Sequence, residues 1–216
     1  MILAAGRGIR LKPLTDNIPK PLVKVGGETL IERHIKNIAA AKFESIVINT
    51  AHLGEKIRSY IGDGSRFGIP IIYSDEGEQA LETGGGIANA LPLLQEEPFL
   101  VVNADIYCDI PFDATFQLGD ALTHLIMVPN PAHHPDGDFT AEELKLEGQQ
   151  RYTYSGVGYF HPSLFTHEVR IFPLIEVLRK SIADKTISAN VFQGMWFDIG
   201  TGSRLHAANQ HALHRV

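Results

Sequence analysis

The chain has 216 residues, 44% of them hydrophobic and 20% charged, ordinary globular proportions that exclude disorder and fibrous architecture. Twenty-five acids against nineteen bases leave a net charge of −6, which argues against a nucleic-acid coat but permits a local basic pocket. No apolar run approaches the roughly 18 residues of a membrane span, and Gly6 and Arg7 interrupt the apolar opening too early for a signal peptide. A single cysteine, Cys108, allows neither an internal disulfide nor a cysteine-built zinc site. The expectation is a soluble, cytoplasmic protein with one sizeable core, a monomer or small homo-oligomer without nucleic-acid or membrane partners.

In chain order, residues 29–41 place Ile31, Ile35 and Ile38 on one helical face. Residues 45–49 form a nearly continuous apolar run, as do 69–73 and 99–103, the pattern of parallel strands buried on both faces. Shorter helices are predicted over 53–61 and 86–95. Alternating strands and helices imply βαβ units, right-handed crossovers and three layers. After about residue 108 the rhythm changes. Strands are predicted over 122–128, 152–160 and 195–199, helices over 172–182 and 201–213, and a loop rich in Pro, His and Asp over 129–138. No composition break marks a linker and no repeat follows, so residues 1–216 read as one α/β domain with a smaller lobe on its second half.

The first forty residues carry the strongest chemical signal. A glycine-rich loop within Leu3-Ala4-Ala5-Gly6-Arg7-Gly8-Ile9-Arg10 follows directly on a first strand, where main-chain N–H groups can approach phosphate oxygens. Leu11 stands where a dinucleotide fingerprint needs its third glycine, and Asn49 and Thr50 stand where it needs a ribose-binding acid. The Gly-Lys-Ser/Thr of a P-loop is absent. Two cations distinguish the loop: Arg10 within it, and Lys20 held between Pro19 and Pro21. A guanidinium fork and an ammonium point charge together can orient a triphosphate.

Asp105 ends the apolar strand Val101-Val102-Asn103-Ala104-Asp105, at the sheet edge where open α/β folds bind ligands. Asp198, in Trp196-Phe197-Asp198-Ile199-Gly200-Thr201, stands where a short strand yields to a helix. Two hard carboxylates from distant segments suit Mg²⁺, which shares its coordination with water and substrate phosphates; capping of the following helix is the alternative for Asp198. Asn103 shares a strand face with Asp105. In Glu82-Thr83-Gly84-Gly85-Gly86, consecutive glycines disfavour a helix interior and suggest close main-chain approach to a flat ligand.

The pattern L-A-A-G-x-G-x-R-L-x-P-L-T, followed by Pro19-Lys20-Pro21-Leu22, resembles that of the sugar-1-phosphate nucleotidyltransferases, which join a nucleoside triphosphate to a sugar 1-phosphate and release pyrophosphate. The resemblance covers essentially the whole chain. It implies a Rossmann-like three-layer fold with a mostly parallel mixed sheet and a small sugar-binding lobe, a nucleotide-binding half over about 1–108 and a sugar-binding half over about 109–216. It further implies Arg10, Lys20, Asp105 and Asp198 as catalytic, with Mg²⁺ held by Asp105 and Asp198. Nucleotide contacts fall on Leu3, Ala4, Ala5, Gly6, Gly8, Ile9, Arg10, Lys20, Glu82, Gly84, Gly85 and Asn103. Sugar-phosphate contacts fall on Asn103, Asp138, Tyr154, Ser155, Gly156 and Trp196. Two departures stand out: Ile9 replaces the usual Ser or Thr, and residues 130–139 lack the family's Glu-Lys-Pro, whose lysine grips the sugar phosphate. Residues 62–68, 91–94 and 133–139 are similar to members that transfer a uridylyl group from UTP to N-acetylmuramic acid 1-phosphate. Glucose- or mannose-1-phosphate with dTTP, UTP or GTP is the alternative, and a non-catalytic nucleotide-sugar binder a further one.

Overall fold

A strand of only two residues, β1 (Ile2–Leu3), lies inside the main sheet of the computed structural model, which describes residues 1–77, 79–165 and 170–214. The chain continues through a small hairpin, β2 (Lys24–Val25) and β3 (Glu28–Thr29), into α1 (Leu30–Ala40), then β4 (Ile46–Thr50), α2 (Gly54–Ile61), β5 (Ile71–Asp75), α3 (Glu82–Ala90), β6 (Phe99–Asn103) and β7 (Ile106–Cys108). The second half supplies β8 (Thr123–Val128), β9 (Phe139–Thr140), β10 (Arg151–Phe160), α4 (Leu174–Ala183), β11 (Ile187–Val191), β12 (Trp196–Asp198) and α5 (Gly202–Leu213). The main sheet runs β11-β8-β10-β6-β1-β4-β5, with β9 paired to β10 off that path. Strands β6, β1, β4 and β5 are parallel, whereas β10 runs antiparallel to both β6 and β8. The fold is the Rossmann-like, mixed-sheet architecture expected.

Period-two alternation divides the apolar runs between two faces. Ile2, Ile46, Ile48, Leu100 and Val102 pack with Ile31, Ile35 and Ile38 of α1 and Ile57 of α2. Met1, Val47, Phe99 and Val101 pack on the opposite face with Ile87 of α3 and Leu174, Val177 and Leu178 of α4. A third cluster joins Leu11 and Val23 to Tyr107, Ile199 and Ala208, and so fixes α5 and the β7–β12 ribbon beside the glycine loop. Helix α1 begins on a capping box: Thr29 Oγ1 accepts from Glu32 N, while Glu32 Oε2 accepts from Thr29 N.

Strands β8, β10 and β11 of the second half extend the same sheet, because β10 continues the ladder directly from β6. Two features differ from expectation. The edge strand β11 alternates Ile187-Ser188-Ala189-Asn190-Val191, too polar to stand out as a buried run. Helix α3 begins at Glu82 and carries Gly84, Gly85 and Gly86 inside it. No helix among the described residues is long and apolar enough to cross a membrane.

His34 lies on α1 with 1% of its surface exposed. Burial disfavours the imidazolium and pushes its pKa down to about 4. An unfolded histidine titrates near ~6.5, so stability is whole above that value and falls by on the order of 3 kcal/mol as pH drops toward 4. Denaturant titrations across this range are expected to show the loss in the wild type and a shallower slope in His34→Leu. Equal slopes for the two proteins would contradict the assignment.

Candidate active site

Beyond β1 the chain cannot continue its ladder, and Ala4 N donates instead to the buried Asn49 Oδ1 at 2.6 Å. Gly8 takes φ +64°, and a Cβ there would stand 3.1 Å from both Lys20 Cβ and Thr15 Cγ2. Thr15 Oγ1 and Leu11 N both donate to Gly8 O, which closes the turn. Gly8 is therefore required by conformation and by space. Gly6 has nothing within 4 Å of its Cβ position, so that side of the loop faces open space. The loop forms one wall of a cleft of about 500 Å³, lined by Leu3, Ala4, Ala5, Gly6, Arg7, Gly8, Ile9, Arg10, Lys20, Asn49, Glu76, Glu82, Thr83, Asn103, Asp105 and Gly200 among others.

Lys20 opens a short 3₁₀ turn, Lys20–Leu22, after an extended Pro19. Its ammonium is ion-paired with Asp105 Oδ2, and only 11% of the lysine side chain is exposed. Asp198 arrives from the far end of the chain. It pairs with Ile106 across the β7–β12 ladder, and Ile199 N donates to Asp105 O at 2.8 Å. That ladder sets the two carboxylates on neighbouring strand ends. Asp198 Oδ2 is ion-paired with Arg204 Nη1 from the first turn of α5. His133 Nε2 stands 3.0 Å from Asp198 Oδ1 without hydrogen-bond alignment, so this buried oxygen has no hydrogen bond. Thr201, not Asp198, caps α5 by accepting from Arg204 N.

The start of α3 closes the cleft opposite the loop. Glu82 takes φ +61°, and Glu82 and Thr83 line the cavity. Gly84 and Gly85 do not. Their N–H groups both donate to Phe172 O, at 3.0 and 3.1 Å. A Cβ on Gly84 would meet the Phe172 ring at 2.4 Å, one on Gly85 the Arg170 carbonyl at 2.2 Å, and one on Gly86 Glu76 Oε1 at 2.5 Å. The space beside all three glycines is thus taken up by protein, and Gly84 and Gly85 are not among the residues lining the cleft. Behind it, Asn49 Nδ2 and Leu81 N donate to the two oxygens of Glu76, whose pKa is raised by burial.

On the sugar side, a bulge in β10 brings Gly156, at φ +79°, against Asn103, which lines the cleft. The other residues assigned to the sugar phosphate support that wall and do not line the cavity. Trp196 Nε1 donates to Ser155 O at 2.9 Å, and Val157 N to Ser155 Oγ. Tyr154 N donates to Asp138 Oδ2 at 2.8 Å, while the Tyr154 hydroxyl is buried without a partner and its pKa is raised by burial. His134 Nε2 lies 3.1 Å from Asp138 Oδ1, so the adjacent rings of His133 and His134 serve different carboxylates. Among the described residues no group of three or more His, Cys, Asp or Glu could hold a metal, so a cation would depend on the Asp105–Asp198 pair and on ligand oxygens.

A family model described as nucleotidyl transferase matches residues 1–139, and the chain belongs to that family. The chain is 45% identical, over 96% of its length and 95% of the relative's, to the N-acetylmuramate alpha-1-phosphate uridylyltransferase of Neisseria meningitidis. It is 43% identical to the enzyme of that name from Caulobacter vibrioides over 49% of this chain and 44% of the relative. A Bacillus anthracis protein solved in complex with sucrose shares the fold, with TM-score 0.85 at 19% identity, covering 98% of this chain and 93% of that one.

Residue-type reasoning missed Arg204, His133, Asn49 and Glu76. Arg204 carries one signal, a cation in the first turn of the helix after Asp198; the other three meet the site only through tertiary packing. Gly84→Ala gains helix propensity of about 1 kcal/mol, but collision with the Phe172 ring outweighs it, for a net loss of about 1–3 kcal/mol. Calorimetry should therefore show a lowered Tm, whereas an unchanged Tm with weakened nucleotide binding would support the ligand-contact reading.

Proposed function

We propose that this chain transfers a uridylyl group from UTP to N-acetylmuramic acid 1-phosphate, giving UDP-N-acetylmuramic acid and pyrophosphate, as the name of its Neisseria relative describes for that protein. The observation that carries the reaction class is the Lys20–Asp105 ion pair in the cleft walled by the glycine loop, with the Asp198–Arg204 pair set beside it by the β7–β12 ladder and by Gly200. The choice of base and sugar rests on the 45% identity over nearly the full length of both chains.

Mg²⁺ fits the residues present. Asp105 and Asp198 offer hard carboxylate oxygens, and Asp198 Oδ1 is buried with no hydrogen bond to satisfy it. When bound there, the ion neutralises charge on the α-phosphate and on the departing pyrophosphate. The chain's own groups do the positioning. Main-chain amides of the open glycine loop and the Arg10 guanidinium receive the β- and γ-phosphates. The Lys20 ammonium, held at the cleft by Asp105, stabilises charge at the α-phosphate and on the incoming sugar phosphate. A sugar-phosphate oxygen attacks the α-phosphorus in line; the new phosphoanhydride bond forms as the bond to the β-phosphate oxygen breaks and pyrophosphate departs. A phosphate monoester is already nucleophilic, so the reaction needs no general base, and the site assigns none. Asn103, buttressed by the Gly156 bulge, borders the sugar side.

Pyrophosphate release, measured with Mg²⁺ across a grid of nucleoside triphosphates and sugar 1-phosphates, is expected to peak with UTP and N-acetylmuramic acid 1-phosphate. A peak with glucose or mannose 1-phosphate, or with dTTP or GTP, would keep the mechanism and replace the substrates; silence across the grid would leave a non-catalytic nucleotide-sugar binder. Asp105→Asn and Asp198→Asn are each expected to lower kcat by about 100-fold or more, since each removes charge stabilisation from the transition state. Lys20→Ala is expected to act on kcat more than on the KM for UTP, and an effect on KM alone would make Lys20 a simple binding residue.

A further inference from the structure

Arg204 is among the more enclosed cations of the molecule, with 17% of its side chain exposed and its Nε buried without a hydrogen bond. An arginine head group is desolvated only at a cost, and that cost is offset here by a single acid, Asp198. Gly200 makes the arrangement possible. A Cβ there would lie 2.0 Å from Arg204 Nη2 and 2.7 Å from its Cζ, so the guanidinium lies directly over the Gly200 main chain. Gly200 has no left-handed φ, so its lack of a side chain is explained by space and not by conformation. Arg10 Nη2 reaches within 3.4 Å of the same point, which brings Arg204 and the glycine loop to one place.

We propose that Arg204 is a positioning residue for Asp198: by gripping Oδ2 across Gly200, it fixes the carboxylate so that Oδ1 is presented to a divalent cation. The inference rests on the metal assignment made above to Asp105 and Asp198. A carboxylate on a short strand end is free to rotate about its side-chain torsions, and a planar guanidinium held between backbone and acid removes that freedom. Supporting groups that orient a metal ligand commonly change metal affinity or activity by about 10–100-fold when removed. Lysine is a poor substitute, because an ammonium is a point charge and cannot lie flat over Gly200.

The test measures Mn²⁺ binding by electron paramagnetic resonance with a non-hydrolysable UTP analogue present, alongside analogue binding without metal and thermal unfolding. Arg204→Gln is expected to weaken Mn²⁺ binding about 10–100-fold, leaving metal-free analogue binding within a factor of about three, and Arg204→Lys is expected to recover only part of the loss. Gly200→Ala displaces the guanidinium without replacing the arginine and should reproduce the Arg204→Gln deficit in Mn²⁺ binding. Wild-type Mn²⁺ affinity in folded Arg204→Gln or in Gly200→Ala would overturn the proposal, as would loss of metal-free analogue binding in Arg204→Gln, which would make the residue a phosphate ligand. Asp198→Asn separates the two levels: unimpaired Mn²⁺ binding in that variant would remove the metal assignment itself, whereas impaired binding there with wild-type affinity in Arg204→Gln would remove the positioning role alone.

Discussion

The ion pair between Lys20 and Asp105 is the contact on which the rest of the site depends. It ties the turn after the glycine loop to the end of β6 and holds the Lys20 ammonium at the cleft wall. A nearly buried ammonium without a partner costs several kcal/mol, so the loop's position and the aspartate's are set together. The Asp198–Arg204 pair repeats the device on the neighbouring strand. Asp105 lines the cleft paired with Lys20, and Asp198 beside it is paired with Arg204, with His133 against its other oxygen. In the reaction proposed above, a nucleotide would bring negative charge and a divalent cation positive charge, so that binding could exchange these partners without adding uncompensated charge.

Around these charges the walls are made mainly of main chain. Gly8 turns the loop in a left-handed conformation that also leaves room for Lys20 and Thr15. Asn49 bridges Ala4 N to Glu76, and Glu76 in turn receives Leu81 N, so a buried hydrogen-bonded chain links the loop to the start of α3. The bulge at Gly156 presses on Asn103 in the same way from β10. Every link runs to a strand end of the main sheet, where the two apolar faces hold the backbone rigid. Rigid support of this kind is what displacement at phosphorus requires, because its catalysis is chiefly positioning and charge neutralisation.

What was legible in the sequence follows from what is local. The parallel strands stood out because burial on both faces leaves continuous apolar runs, and the loop stood out because glycines and cations were adjacent in sequence. Strand β11 was hidden by its alternating polar residues, whereas β1, only two residues long, was legible from the loop that follows it and is held by neighbours on both sides. The Gly84–Gly86 run was read as a ligand approach because isolated helices disfavour glycine; Phe172, Arg170 and Glu76, distant in sequence, fill the space those glycines leave. Asp105 and Asp198 could be named from their strand ends, whereas Arg204 and His133 acquire a role only once the β7–β12 ladder has formed. Asp138, Tyr154, Ser155 and Trp196 support the sugar-side wall through main-chain hydrogen bonds, a part that residue type does not disclose.

The most direct test of the central claim is a crystal structure of the chain grown with a non-hydrolysable UTP analogue and Mn²⁺, with the metal located by its anomalous signal. The account predicts one anomalous peak within coordination distance of both Asp105 and Asp198, and the phosphates seated against the main chain of residues 6–10 with Arg10 and Lys20 upon them. A metal peak remote from either carboxylate, or phosphates that leave the glycine loop empty, would contradict it.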